Sequence, residues 1–112
     1  MNAKSESLLK SQNTTLLALG PLLKGLSDPT RWGILAELSL GEPLMVKSIA
    51  KRLGCSATVI SKHMAVLRRT GAVVIGEGGL YRIPAAFLPV PGQRLVDLGH
   101  CLLRFDAATA GA

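Results

Sequence analysis

The sequence predicts a single, mainly α-helical domain with one small β-hairpin. Apolar residues recur at helical spacing in successive segments, and N-cap residues or glycines mark where most of these segments begin and end. After residue 71 the pattern changes to two short β-type runs, before helical spacing returns near the C-terminus. A chain of 112 residues fits one domain and leaves no room for a second.

Leucines at helical spacing predict a first helical stretch over residues 7–26, which Pro21 kinks or divides. We expect the polar residues 1–6 before it to be disordered. The N-terminus lacks the apolar core of a signal peptide, and no apolar run approaches the roughly 18 residues of a membrane span. With only two cysteines, the chain is expected to be cytoplasmic with reduced thiols.

The second helix has a clear start, because Asp28 is a good N-cap and Pro29 suits the first helical position. It runs through Trp32, which we assign to the core, and ends near Gly41.

The pattern of residues 45–71 predicts two helices joined by a tight turn, which is a helix-turn-helix. The first covers residues 45–53 and ends at Gly54, and the second covers residues 57–70 between a Ser56 cap and Gly71. Core spacing assigns the following to the inner side of these helices: Met45, Val46, Ile49, Ala50, Leu53, Val59, Ile60, Met64 (or its neighbour Ala65) and Leu67.

The hairpin is predicted over residues 72–83, with β-type runs at 72–75 and 80–83 joined by a glycine-rich link. A hairpin directly after the second helix of a helix-turn-helix is a wing. A final helix is predicted over residues 92–108, on a stripe of four apolar side chains: Leu95, Leu98, Leu102 and Phe105.

The net charge of +6 lies entirely in the central third of the chain. Between residues 47 and 82 there are seven basic residues and one acid, whereas six of each occur elsewhere. A positive patch on an otherwise neutral domain is typical of nucleic-acid binding, although a solvated lysine-rich helical face explains the charge equally well.

The second helix of the motif begins with small polar residues, which suit the major groove of duplex DNA. The candidate DNA-binding residues are Lys47, Ser56, Ala57, Thr58, Ser61, Lys62, His63, Arg68 and Arg82. In this hypothesis the hydroxyls of Ser56, Thr58 and Ser61 form the reading face together with Lys62 and His63. Phosphates are held by Lys47, Arg68 and Arg82.

Two runs of residues resemble the ArsR-type winged helix-turn-helix regulators. The first is Leu26-Ser27-Asp28-Pro29-Thr30-Arg31 followed by Ile34-Leu35. The second is Ile49-Ala50-Lys51-Arg52-Leu53-Gly54-Cys55-Ser56, continued by Val59-Ile60-Ser61-Lys62-His63-Met64 and Val66-Leu67-Arg68, with Gly71 at the family's glycine before the wing. The resemblance implies a homodimer that binds a palindromic operator, usually represses and is released by an inducer. It also implies a dimer interface made by the first and last helices, and the high apolar content independently suggests a covered surface.

The sequence departs from the family's metal sensors. Met45 and Lys47 stand where the thiolate sensors carry a Cys-x-Cys pair, and neither is a thiolate ligand. Asp97 and His100 lie one turn apart on the predicted last helix, but no second histidine follows them. We therefore expect no metal and no cofactor.

Two further alternatives remain open. Cys101 on the last helix and Cys55 in the corner are candidate redox residues, although both also fit as small buried apolar residues. Winged helices also serve as protein-interaction modules without specific DNA binding. The sequence carries no enzyme motif, so no catalytic residue is expected.

Overall fold

A computed structural model describes residues 17–105. The predicted disordered segment 1–6 and residues 7–16 of the first helical stretch lie outside this range. Four helices and then two β-hairpins follow one another: α1 (Leu19–Gly25), α2 (Pro29–Leu38), α3 (Val46–Leu53), α4 (Ala57–Thr70), β1 (Val74–Ile75), β2 (Tyr81–Arg82), β3 (Leu95–Asp97) and β4 (Leu102–Arg104). None of the helices within residues 17–105 is long and apolar enough to cross a bilayer.

The core forms where the apolar faces of the helices meet. Helix α4 contributes Ile60, Met64 and Leu67, all fully buried, so Met64 rather than Ala65 occupies the inner position. The other buried hydrophobic residues are Leu22, Ile34, Leu35, Leu38, Leu44, Ile49, Ala50, Ala72, Val73, Ile83, Phe87, Val96 and Leu98. This core holds α4 in place, so that its opposite face remains exposed.

Helix α2 begins as the sequence predicts. The Asp28 side chain accepts hydrogen bonds from the backbone amides of Thr30 (2.8 Å) and Arg31 (3.3 Å), and Pro29 takes the first helical position. These bonds satisfy amides that have no partner within the helix.

The wing is anchored through its second strand. Strands β1 and β2 pair antiparallel, with Val74 opposite Arg82 and Ile75 opposite Tyr81. Tyr81 also exchanges two backbone hydrogen bonds with Leu44, just before α3, at 2.9 and 2.8 Å. The predicted winged helix-turn-helix fold is confirmed in its four helices and antiparallel hairpin.

The predicted last helix over residues 92–108 is wrong for the residues that the structure describes. Strands β3 and β4 pair there as a second hairpin, with Val96 opposite Leu103. Gly99 turns the chain at φ +90°, and the Leu98 amide donates to the Cys101 carbonyl across the turn. Val96 and Leu98 are both buried, which is the two-residue period of a strand. The dimer interface that the resemblance implies, between the first and last helices, therefore cannot form as expected, because the described residues contain a hairpin where the last helix was predicted.

Two further core assignments need correction. Trp32 is 46% exposed, donates its indole N–H to the Leu26 carbonyl, and contacts Phe105 edge-on with ring centroids 6.1 Å apart. Met45 precedes α3 as its N-cap residue, and its side chain is exposed. Its place outside the first helical turn explains why the helical period does not apply to it.

Candidate nucleic-acid interface

The corner between α3 and α4 is tight because Gly54 adopts the left-handed conformation, at φ +69°. The Cys55 amide donates to the Ala50 carbonyl at 3.0 Å, and the Gly54 amide donates to the Lys51 carbonyl at 3.4 Å. Ser56 Oγ then accepts from the Val59 amide at 3.2 Å and caps α4. These bonds present the first turn of α4 at the surface.

The outer face of α4 carries most of the predicted reading residues. Ser56, Ala57, Thr58, Ser61, Lys62 and Arg68 are all exposed. Ala65 lies among them and offers only a methyl group, so another surface can approach the helix closely. Sequence reasoning missed Val59, which it placed in the core although the side chain is 42% exposed. Its position in the first helical turn, beside Thr58, was the available signal.

The basic residues of the central third do not all contribute to one patch. Lys47 and Lys51 are exposed, one turn apart on α3. Arg52 instead lies 3.5 Å from a Glu37 oxygen and 3.9 Å from a Glu42 oxygen, so its charge is partly neutralised. The positive surface is therefore formed by Lys47, Lys51 and the cations of α4.

The wing borders two clefts that lie beside different parts of the molecule. Tyr81 lines a cleft of about 390 Å³ together with Ala65, Arg68 and Arg69 of α4. Its neighbour Arg82 lines a different cleft, with the end of α2 and the connector between the hairpins. Arg82 thus stands apart from the other candidate phosphate contacts.

His63 is the exception among the predicted reading residues, because its ring is turned toward α2. Its Nδ1 lies 3.1 Å from Nη1 of Arg31, and its Nε2 lies 3.9 Å from an oxygen of Asp28. Arginine has no acceptor, so Nδ1 accepts the hydrogen bond and the ring proton is on Nε2. The geometry makes His63 a contact between helices rather than part of the exposed face.

The carboxylate of Asp28 is stabilised by the groups around it. Partial burial by itself raises the pKa of Asp28, but hydrogen bonds from the Thr30 and Arg31 amides and the charge of the Arg31 guanidinium outweigh it. The pKa of Asp28 consequently lies below its ordinary value of 3.8.

The two cysteines are free thiols packed at the edge of the core. Cys55 donates its S–H to the Leu53 carbonyl at 3.7 Å. Cys101 lies in the turn of the second hairpin and not on a helix. Burial raises the pKa of the Cys101 thiol above 9.0, and the negative charge of Asp97 raises it further. A protonated thiol is a poor nucleophile, so this environment does not favour a redox sensor at Cys101.

The Asp97–His100 pair does not lie on one helical turn, because both residues belong to the second hairpin. Asp97 accepts a hydrogen bond from the Gly99 amide at 2.9 Å, which shapes the turn. Within residues 17–105, no three His, Cys, Asp or Glu side chains come close enough together to hold a metal ion.

Comparison with known proteins agrees with this geometry. A family model described as a helix-turn-helix domain matches residues 26–75, from the end of α1 to β1. The fold and the exposed basic helix are those of a winged helix-turn-helix DNA-binding transcriptional regulator. Among solved structures, the chain is similar to HlyU from Vibrio cholerae N16961, with 28% sequence identity and a TM-score of 0.52. The match covers 74% of this chain and 80% of that chain. No curated protein sequence matches the chain.

Proposed function

We propose that this protein is a sequence-specific homodimeric repressor of the ArsR type, which binds a palindromic operator and is released by an inducer. One observation carries the proposal: α4 buries Ile60, Met64 and Leu67 while its opposite face presents small polar residues and cations to solvent. Such a face suits the major groove, where short side chains permit close approach and hydroxyls contact base edges.

The contacts divide into those that read bases and those that hold the backbone. Thr58 and Ser61 read base edges, and the exposed Val59 packs against a thymine methyl group. Ser56 and Ala57 place the amino end of α4 near a phosphate, which the helix dipole favours. Lys47, Lys62 and Arg68 contact phosphates from the helices. Arg82, which lies apart from them on the wing, contacts a separate phosphate.

The proposed homodimer uses α1, because its outer side has no partner within the described residues. Leu19 and Leu23 are 46% and 56% exposed. Residues 7–16, upstream in the sequence, also carry leucines. A second copy would cover this exposed side of α1, as expected for a symmetric interface.

The test is fluorescence anisotropy with the DNA upstream of the protein's own gene, against a random duplex of the same length. We expect saturable binding that prefers the upstream DNA and weakens steeply with salt, because phosphate contacts release counterions. Light scattering should give the mass of a dimer. Equal affinity for both duplexes at moderate salt would contradict the repressor and favour an interaction module.

A further inference from the structure

A cleft of about 350 Å³ lies between the end of α2, the base of the wing and the connector that joins the two hairpins. It is separate from the exposed face of α4, and none of the nine candidate DNA contacts except Arg82 lines it. The lining residues include Leu40, Gly41, Val90 and Gly92, together with Arg82 from the wing. Its volume is at the lower end of the range of small-molecule sites, roughly 300–1,000 Å³.

The walls of this cleft are mostly aliphatic. Leu40 and Val90 line it and are exposed, although large hydrophobic side chains are more stable when covered. Gly41 and Gly92 have φ of +92° and +82°, a conformation in which residues with an L side chain would be strained. Because neither glycine has a side chain, this part of the wall leaves room for a ligand. The cleft therefore favours an apolar occupant.

One charged side chain enters this apolar lining. Arg82 is the only ionisable residue among the lining residues, and no ion pair joins it to an acidic side chain within residues 17–105. A guanidinium binds a carboxylate through two parallel hydrogen bonds, and the low polarity of the walls strengthens them. Charge complementarity thus selects an anion at one end of an apolar molecule.

We propose that this cleft binds a small apolar monocarboxylate, whose carboxylate pairs with Arg82 and whose alkyl or aryl body lies against Leu40 and Val90. The site itself does not depend on DNA binding. Its regulatory consequence rests on the proposed function: a guanidinium engaged by the ligand no longer contacts a DNA phosphate, so occupancy weakens operator binding. Arg82 directly follows Tyr81, the residue whose backbone hydrogen bonds anchor the wing. A ligand that pairs with Arg82 therefore contacts the wing next to this anchor.

The experiment measures binding of octanoate and 2-naphthoate to the full-length protein by calorimetry, with octanamide and 2-naphthamide as uncharged controls of the same shape. We expect each carboxylate to bind about tenfold more tightly than its amide, as a charge-assisted hydrogen bond predicts. Arg82→Gln should abolish this preference without abolishing amide binding. Absence of carboxylate binding at millimolar concentration, or an unchanged preference in Arg82→Gln, would overturn the proposal.

Two variants separate the ligand site from the DNA-binding surface. Val90→Glu places a negative charge in the cleft that Arg82 also lines, so it should remove carboxylate binding and, like the bound ligand, weaken operator binding by engaging Arg82. Lys62→Gln should weaken operator binding and leave carboxylate binding unchanged. Carboxylate binding that survives Val90→Glu would overturn the site, whereas wild-type protein that binds carboxylates but no operator would contradict only the proposed function. Probe binding that falls as protein concentration rises would assign the cleft to a second copy and overturn the ligand site.

Discussion

Arg31 and His63 connect α2 to the recognition helix α4, with 3.1 Å between Arg31 Nη1 and His63 Nδ1. The same guanidinium donates through Nε to the Gly25 carbonyl and through Nη2 to the Lys24 carbonyl, at the end of α1. One side chain therefore ties three helices together, and it satisfies carbonyls that have no partner within α1. The contact therefore helps to hold α4 against α2 and the end of α1.

Replacing His63 with alanine should reduce stability, because Arg31 then loses a hydrogen bond between helices. We expect a loss of about 1 kcal/mol in the free energy of unfolding, measured by urea denaturation. Lys62→Ala is the matched control, since Lys62 is the neighbouring residue on the exposed face and its removal should leave stability nearly unchanged. Equal stability of the two variants would show that the Arg31–His63 contact contributes nothing.

Substitutions on the exposed face of α4 should affect either the affinity for DNA or the preference for one DNA sequence, depending on the residue replaced. Lys62→Gln is expected to weaken binding to every duplex and to reduce the slope of log K against log salt by about 1. Thr58→Ala should instead reduce the preference for the operator over a mutated operator, with little change in the salt slope. Anisotropy titrations at several salt concentrations distinguish the two effects, and identical behaviour of both variants would argue against this division of roles.

Acid should destabilise the protein through Asp28. The fold favours the ionised carboxylate, so its stabilising contribution is complete above the ordinary pKa of 3.8 and is lost as pH falls through the lower folded-state value. Asp28→Asn keeps an oxygen that caps α2 but cannot titrate. Urea midpoints at pH 6 and pH 3 should therefore differ less for Asp28→Asn than for the wild type. A difference of the same size in both proteins would exclude Asp28 as the source.

The Cys101 thiol should react slowly in the native protein, because burial and the charge of Asp97 raise its pKa. In a Cys55→Ser background, we expect labelling by a thiol reagent at pH 7.5 to be slower than in the unfolded chain. Adding Asp97→Asn should accelerate labelling, since the amide keeps an acceptor for the Gly99 amide and removes the charge. Fast labelling of the native protein, unaffected by Asp97→Asn, would restore the redox hypothesis.

Helix α1 approaches α4 closely only because residue 25 is glycine. A Cβ at this position would lie 2.8 Å from Thr70 Cγ2, so Gly25→Ala forces the helices apart. Overpacking costs about 1–3 kcal/mol, which exceeds the gain of about 1 kcal/mol in helix propensity. Thr70→Ser keeps the hydroxyl that bonds Leu67 and Ala72 but removes the methyl group, so it should restore stability in the double variant. If the double variant loses as much stability as the Gly25→Ala and Thr70→Ser variants lose together, the proposed clash is contradicted.

The helix boundaries were predictable because short-range chemistry determines them. Asp28 before Pro29, Ser56 before α4, and Gly54 and Gly71 after their helices each act within about one turn of the chain. The exposure of Thr58, Ser61 and Lys62 followed from the same helical period that buries Ile60 and Met64. These features required no knowledge of distant contacts.

The predictions that were wrong concern features that depend on contacts between residues far apart in the sequence. The leucine stripe at residues 95, 98 and 102 is compatible with a helix, but burial of Val96 and Leu98 against the core and the turn at Gly99 favour a hairpin. A glycine inside a helix costs about 1 kcal/mol, and that was the signal against the predicted helix. The contact of His63 with α2 could not be predicted in detail, because its partner Arg31 lies 32 residues away.

The two hydrogen bonds between Leu44 and Tyr81, at 2.9 and 2.8 Å, have a mechanical consequence. They join the wing to the residues just before α3, so a rotation of the wing relative to the helix-turn-helix would break them. In the proposed DNA complex the distance between α4 and the wing would then be fixed, so that binding depends on the spacing between grooves as well as on the bases within them. An operator whose groove spacing does not match would have to bend or untwist to fit, and the DNA rather than the protein would bear that elastic cost.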